Sequence, residues 1–209
     1  TVLASNICCI PIVMLCRHHS NILYNVNVLT MVCYRPFLAG AGHLPEKEMR
    51  GASQAISQAW GLNLLEYACG ENPREVLHSL AKEECLVSLF GDPATHHLDR
   101  GSWLEALADW RQPTILLVSP DSSGELSGTA CAYAALCETL SVPLVGIVQV
   151  GGSWNALHRR LDGLPWCGWL PSNYKNDSTE CGFFNTDEAT KIEEITLLFR
   201  LRIKQLNPL

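Results

Sequence analysis

Apolar runs of strand length alternate with helix-periodic stretches along most of the chain. Thr114 to Val118 is a short apolar run closed by Ser119-Pro120 and a polar turn, which predicts a buried strand. Ser127 to Leu140 is long enough for a helix, and Ala130, Ala134, Cys137 and Leu140 recur at helical spacing with Glu138 on another face. Leu144 to Val150 is a second strand-length apolar run. Strand, helix and strand joined by short loops predict a βαβ unit whose strands are parallel and buried on both faces.

The same reading extends outward from this unit. Val28 to Tyr34 predicts a strand that ends at Arg35-Pro36, because Pro cannot continue a central ladder. Gly40 to Gly42 is then a loop. Glu46 to Trp60 predicts a helix with Met49, Ala52, Ile56 and Ala59 on one face and Gly61 as its stop. Asn72, Pro73 and Glu75 mark a helix start running to Lys82, with Asn72 as N-cap. Cys85 to Phe90 predicts a strand stopped by Gly91-Asp92-Pro93. Ser102 and Glu105 form a capping box ahead of a helix that buries Trp103, Leu104, Leu107 and Trp110. Asn155 to Leu161 predicts a short helix and Trp166 to Leu170 a last strand. Asp187 to Lys204 predicts a terminal helix with Ile192, Ile195, Leu198, Phe199 and Ile203 on one side.

This alternation predicts a single three-layer α/β domain over residues 1–209, with a mostly parallel sheet covered by helices on both faces. Residues 1–27 form a divergent N-terminal segment, and residues 172–209 a C-terminal loop and helix. Ligands in such sheets bind beyond the carboxyl ends of the strands. On this reading those ends are Arg35 to Gly42, Gly91 to Asp99, Pro120 to Gly128 and Gln149 to Trp154.

Composition narrows the classes of function. An apolar fraction of 47% supplies a full core. The net charge of −6, with no basic cluster, argues against nucleic-acid binding. Ten cysteines without a Cys-x-x-Cys pair exclude the usual structural zinc pattern, and Cys33, Cys85, Cys131 and Cys137 sit among apolar or helical residues, as core cysteines do. Neither apolar run in the first 34 residues reaches the length of a membrane span, and the first lacks the marks of a secretory signal. A cytoplasmic setting and no membrane partner are the expectations. Asp92, His96, His97 and Asp99 share a loop, but read as a solvated turn rather than a metal site, and His18-His19 reads likewise. Asn176-Asp177-Ser178 matches a glycosylation acceptor, a triplet common by chance. Pro120 to Gly124 fits a plain loop and an anion-presenting loop equally well. Ser102 and Ser122 lack a triad arrangement, and no nucleophile elbow occurs.

The order of signals at the strand ends resembles the dethiobiotin synthase family, ATP-dependent enzymes of the P-loop class that close a cyclic urea on a diamine with carbon dioxide. Arg35-Pro36-Phe37-Leu38-Ala39-Gly40 is similar to the family's Lys-Pro-x-x-[Ser/Thr]-Gly. Phe90-Gly91-Asp92-Pro93 stands at its Gly-rich strand end. Leu126-Ser127-Gly128-Thr129 is similar to its Leu-Gly-Thr turn. Pro143 to Val148 with Gln149, and Gly163-Leu164-Pro165 through Pro171, complete a similarity that spans residues 28 to 171. The resemblance implies a P-loop NTPase-like fold, ATP and magnesium as cofactors, a small-molecule ligand and a homodimer. It implies catalytic roles for Arg35 and Asp92, substrate contacts at Gly40 and Thr129, and nucleotide contacts at Gln149 and Pro171, with no resident metal. In this register the phosphate loop falls near residues 5 to 16, which hold no Gly and no Lys, and the magnesium-binding Asp falls around Ala52 to Gln54, where no Asp stands. The expectation is therefore a dethiobiotin synthase-like protein with a degenerate nucleotide site. The alternatives are a non-catalytic binding or interaction protein on the same fold, and a flavodoxin-like module binding an anion at Pro120 to Thr129.

Overall fold

The computed structural model describes residues 35–42, 44–121, 125–126, 128–171 and 186–206, all within one compact unit. The elements run in strict alternation. They are β1 (Phe37–Gly40), α1 (Glu46–Trp60), β2 (Asn63–Ala68), α2 (Pro73–Ser79), β3 (Cys85–Phe90) and α3 (Trp103–Asp109). Then follow β4 (Thr114–Val118), α4 (Thr129–Leu140), β5 (Leu144–Val150), α5 (Ala156–Leu161), β6 (Trp166–Leu170) and α6 (Thr186–Leu206). All six strands join one parallel sheet in the order β2-β3-β1-β4-β5-β6. This order differs from the 2-1-3-4-5 order of the flavodoxin-like sheet.

Parallel strands covered on both faces must be apolar throughout, and the central strands are. Every residue of β1 and β4 is buried. One face packs against α2, α3 and α4 through Leu77, Trp103, Leu104, Leu107 and Cys137. The other packs against α1 and α6 through Met49, Ala52, Ile56, Ile192, Ile195 and Phe199. The expected βαβ unit is present, with β4 and β5 parallel and paired from Thr114–Leu144 to Val118–Gln149. Helix starts follow their capping chemistry. Ser102 and Glu105 complete the capping box of α3, and the Asn72 side chain accepts from the Arg74 amide at the start of α2.

The structure differs from the sequence reading at β1. The expected strand over residues 28–34 lies outside the described residues, and Phe37–Gly40, placed from sequence beyond a strand end with only Gly40 to Gly42 read as loop, is a central strand. Pro36 opens this strand rather than closing one. Its missing N–H costs nothing there, while its carbonyl accepts from the Val87 amide at 3.1 Å. Strand β2 is an addition. Its edge position leaves it half-covered, so its sequence shows neither an apolar run nor a clean alternation. Cys131, read as a core residue, is exposed, whereas Cys85 and Cys137 are buried as expected. Among the described residues, no helix is long and apolar enough to cross a membrane.

Candidate ligand-binding site

Strand order fixes where a crevice forms. From β1 the chain crosses one face of the sheet through α1 and lands on β2, beyond β3. From β4 it crosses the opposite face through α4 and lands on β5, in the other direction. Connections that leave adjacent strands in opposite directions open a crevice at their carboxyl ends, which is where doubly wound sheets hold ligands. Here that point lies between the loop after β1 and the start of α4.

The side chains around it are in contact. Gly42 has φ 78°, and a Cβ there would stand 3.2 Å from Thr129 Cγ2 and 4.0 Å from Tyr133 Cε2. Gly is therefore required both by the backbone conformation and by the close approach of α4. Tyr133 Oη donates to Asp92 Oδ1 at 2.5 Å, tying α4 to the end of β3. Asp92 also accepts from the Ala94 amide at 2.8 Å. Burial and then the Asp92 hydrogen bond push the Tyr133 phenol up. The Tyr133 side chain thus lies against Gly42 through its ring edge and against Asp92 through its hydroxyl. Cys69, at the end of β2, is pushed up to about 12 by burial and by Asp92.

The start of α1 follows the same loop. Gly40 and Gly42 precede it, and Lys47 is exposed in its first turn. Where phosphate-binding loops carry Gly and Ser/Thr on either side of the Lys, this chain has Glu46 and Glu48. Both carboxylates occupy the positive end of the helix dipole, where an incoming anion would have to compete with them. Glu48 Oε2 is sealed from solvent without a hydrogen-bond partner. Arg50 is already committed to Glu46 at 2.8 Å and to Glu66, and lies over the Phe90 ring. Glu46 and Glu48 thus flank the exposed Lys47 in the first turn of α1.

The residues singled out from sequence do not all meet here. Thr129 approaches Gly42, Asp92 is tied to the same helix through Tyr133, and Gly40 lies beside its own loop at Gly42 and Leu44. Arg35 stands apart: it precedes β1, at the amino edge of the sheet, where its Nε donates to the Glu83 carbonyl and the residue is 4% exposed. The register that paired Arg35 with Thr129 treated Pro36 as a strand end, and the buried run Phe37–Gly40 shows it to be a strand start. Gln149 lies at the carboxyl edge but is fully buried and spent on its own turn. It donates to the Gly151 and Ser153 carbonyls at 2.9 and 3.0 Å and accepts twice from Arg159 at 3.3 Å. No hydrogen-bonding group of its carboxamide is left to read a nucleobase. Pro171 follows β6, two strands from β4, and is half-buried.

His96 is exposed and stands 3.8 Å from Glu105. Among the described residues no group of three His, Cys, Asp or Glu side chains could hold a metal ion. The phosphate-loop stretch expected at residues 5–16, His18-His19, Ser122 and Asn176 to Ser178 lie outside the described residues. Sequence reasoning missed Lys47 and Tyr133. The signal for Lys47 was the turn after Gly40, obscured by reading that turn one element too late. Tyr133 carried no local signal, since its partner is 41 residues away.

These features define a doubly wound α/β protein whose topological switch point lies between β1 and β4. Compared with known proteins, the chain matches no protein-family model and no curated protein.

Proposed function

We propose that this chain is a dethiobiotin synthase-like protein of the P-loop class that binds a small amine-bearing ligand but handles ATP and magnesium poorly. The observation that supports this reading is the meeting of Gly42, Asp92 and Thr129 at the switch point, beside a phosphate-type turn flanked by carboxylates. A triphosphate brings several negative charges to a turn that already holds Glu46 and Glu48, and Lys47 alone cannot offset them. An exposed ion pair contributes about 0–1 kcal/mol, whereas micromolar binding requires about 8 kcal/mol. Asp92 suits the opposite partner. A carboxylate at this edge favours an ammonium or another strong donor, the group that a diamine presents. The chemistry proposed is therefore recognition of a diamine, with ring closure reduced or absent.

Calorimetric titration with 2,3-diaminopropionate, a vicinal diamine, and separately with magnesium ATP tests the reading. The expected result is diamine binding below about a millimolar, weakened by about tenfold or more in Asp92→Asn, and no ATP affinity approaching a micromolar. Diamine binding that is absent or indifferent to Asp92→Asn would sink the proposal. So would micromolar ATP binding abolished by Lys47→Ala, which would establish a working nucleotide site.

A further inference from the structure

We propose that Tyr133 is a built-in plug of the crevice, its ring edge against Gly42 and its hydroxyl on Asp92, in the place a ligand group must take. The inference rests on the crevice being the ligand site. Three observations carry it. Tyr133 Oη donates to Asp92 Oδ1 at 2.5 Å across 41 residues of sequence. Its ring edge lies 4.0 Å from where a Gly42 Cβ would stand, so the ring covers the turn after β1. The helix that carries it is weakly held, for only Ala130 and Cys137 of α4 are buried and its N-cap, Gly128, offers no side-chain bond.

The hydroxyl donates to a carboxylate, and a group that replaces it must donate as well. An ammonium or hydroxyl satisfies Asp92 as donor, whereas a bare phosphate oxygen meets Asp92 as an anion against an anion. The plug therefore screens for donor-bearing ligands and holds the turn closed when none is bound. Half-covered Tyr133 can swing outward by side-chain rotation, since Cys131, Ala132 and Ala135 of α4 are exposed. The cost of breaking its bond to Asp92 is subtracted from the affinity of any entering ligand.

Tyr133→Phe keeps the ring and removes the hydroxyl, and Tyr133→Ala removes both. The expected result is that each variant binds 2,3-diaminopropionate about tenfold more tightly than the wild type, a gain that a purely structural residue would not produce when lost. Unchanged or weaker binding in both variants, with wild-type binding intact, would overturn the plug and leave the ligand site standing. A ligand-free measurement separates the two further. In Tyr133→Phe the Gly42 amide should exchange with solvent at least several-fold faster, while amides of β4 and β5 stay protected. An unchanged Gly42 rate overturns the plug whether or not the diamine binds.

Discussion

Gly146 shows how tightly single positions are set. A Cβ there would stand 2.3 Å from Cys167 Sγ, 2.6 Å from Arg202 Nη1 and 2.7 Å from the Pro165 carbonyl. None of these neighbours can yield without breaking its own contacts, so Gly146→Ala should cost about 1–3 kcal/mol of overpacking strain, read as a lower urea midpoint. A midpoint equal to that of the wild type would show that β5 and β6 are looser than described. The cysteines differ in the same local way. Burial pushes Cys137 up to about 11, and burial with Asp92 pushes Cys69 up to about 12, so neither offers thiolate near neutral pH. Cys131 is exposed. Iodoacetamide at about pH 8 should therefore label Cys131 well before Cys69 or Cys137 in the native protein, as peptide mass spectrometry would show. Equal rates for the three would contradict the packing. The sequence reading took Cys131 for a core residue because helical spacing alone cannot tell which side of α4 meets the sheet.

At the scale of the element, the cap of α3 carries a pH dependence. The Ser102 backbone amide and hydroxyl both donate to Glu105, at 2.6 and 2.8 Å, and hold its carboxyl below the ordinary range. A carboxyl lowered in the folded state contributes stability above its unfolded pKa and loses it as pH falls through the folded value. Glu105 is largely exposed, so solvent screens the gain. Ser102→Ala should lower stability by about 1 kcal/mol at neutral pH, and the difference should narrow as pH falls below the ordinary Glu range. A gap that widens in acid would contradict the cap. This box was legible in sequence because Ser102 and Glu105 carry the whole signal within four residues. The helices α1 and α2 and the strands β3 to β6 were legible for the same reason, through local periodicity and punctuation. Strand β2 was not, since an edge strand owes its place to pairing with β3 rather than to its own pattern. Strand β1 was misplaced because Pro36 punctuates equally well before a strand and after one.

The whole molecule is closed by its last helix. Arg202 on α6 donates to the carbonyls of Val145, Pro165 and Trp166 at 3.1, 2.8 and 3.0 Å, at the amino ends of β5 and β6. Phe199 stacks on Trp60 of α1 with ring centroids 5.5 Å apart, joining the two helices of that layer. Arg202→Ala leaves those carbonyls without their charged donor and should cost about 2–4 kcal/mol by urea denaturation; a loss within error would show that α6 is held by packing alone. The site was less legible than the fold because it is a property of strand order. Gly42, Asp92 and Tyr133 stand in three separate segments, and only the strand order β3-β1-β4 brings them together. Arg35 was drawn into the same group by chain proximity to Gly40, although the strand between them carries the two to opposite edges.

Amide chemical-shift mapping of the labelled protein during titration with 2,3-diaminopropionate tests that placement most directly. The account predicts saturable shifts centred on Gly42, Asp92 and Thr129, with Arg35 and Glu83 at the amino edge unmoved. Shifts centred at the amino edge, or none at any accessible concentration, would contradict it.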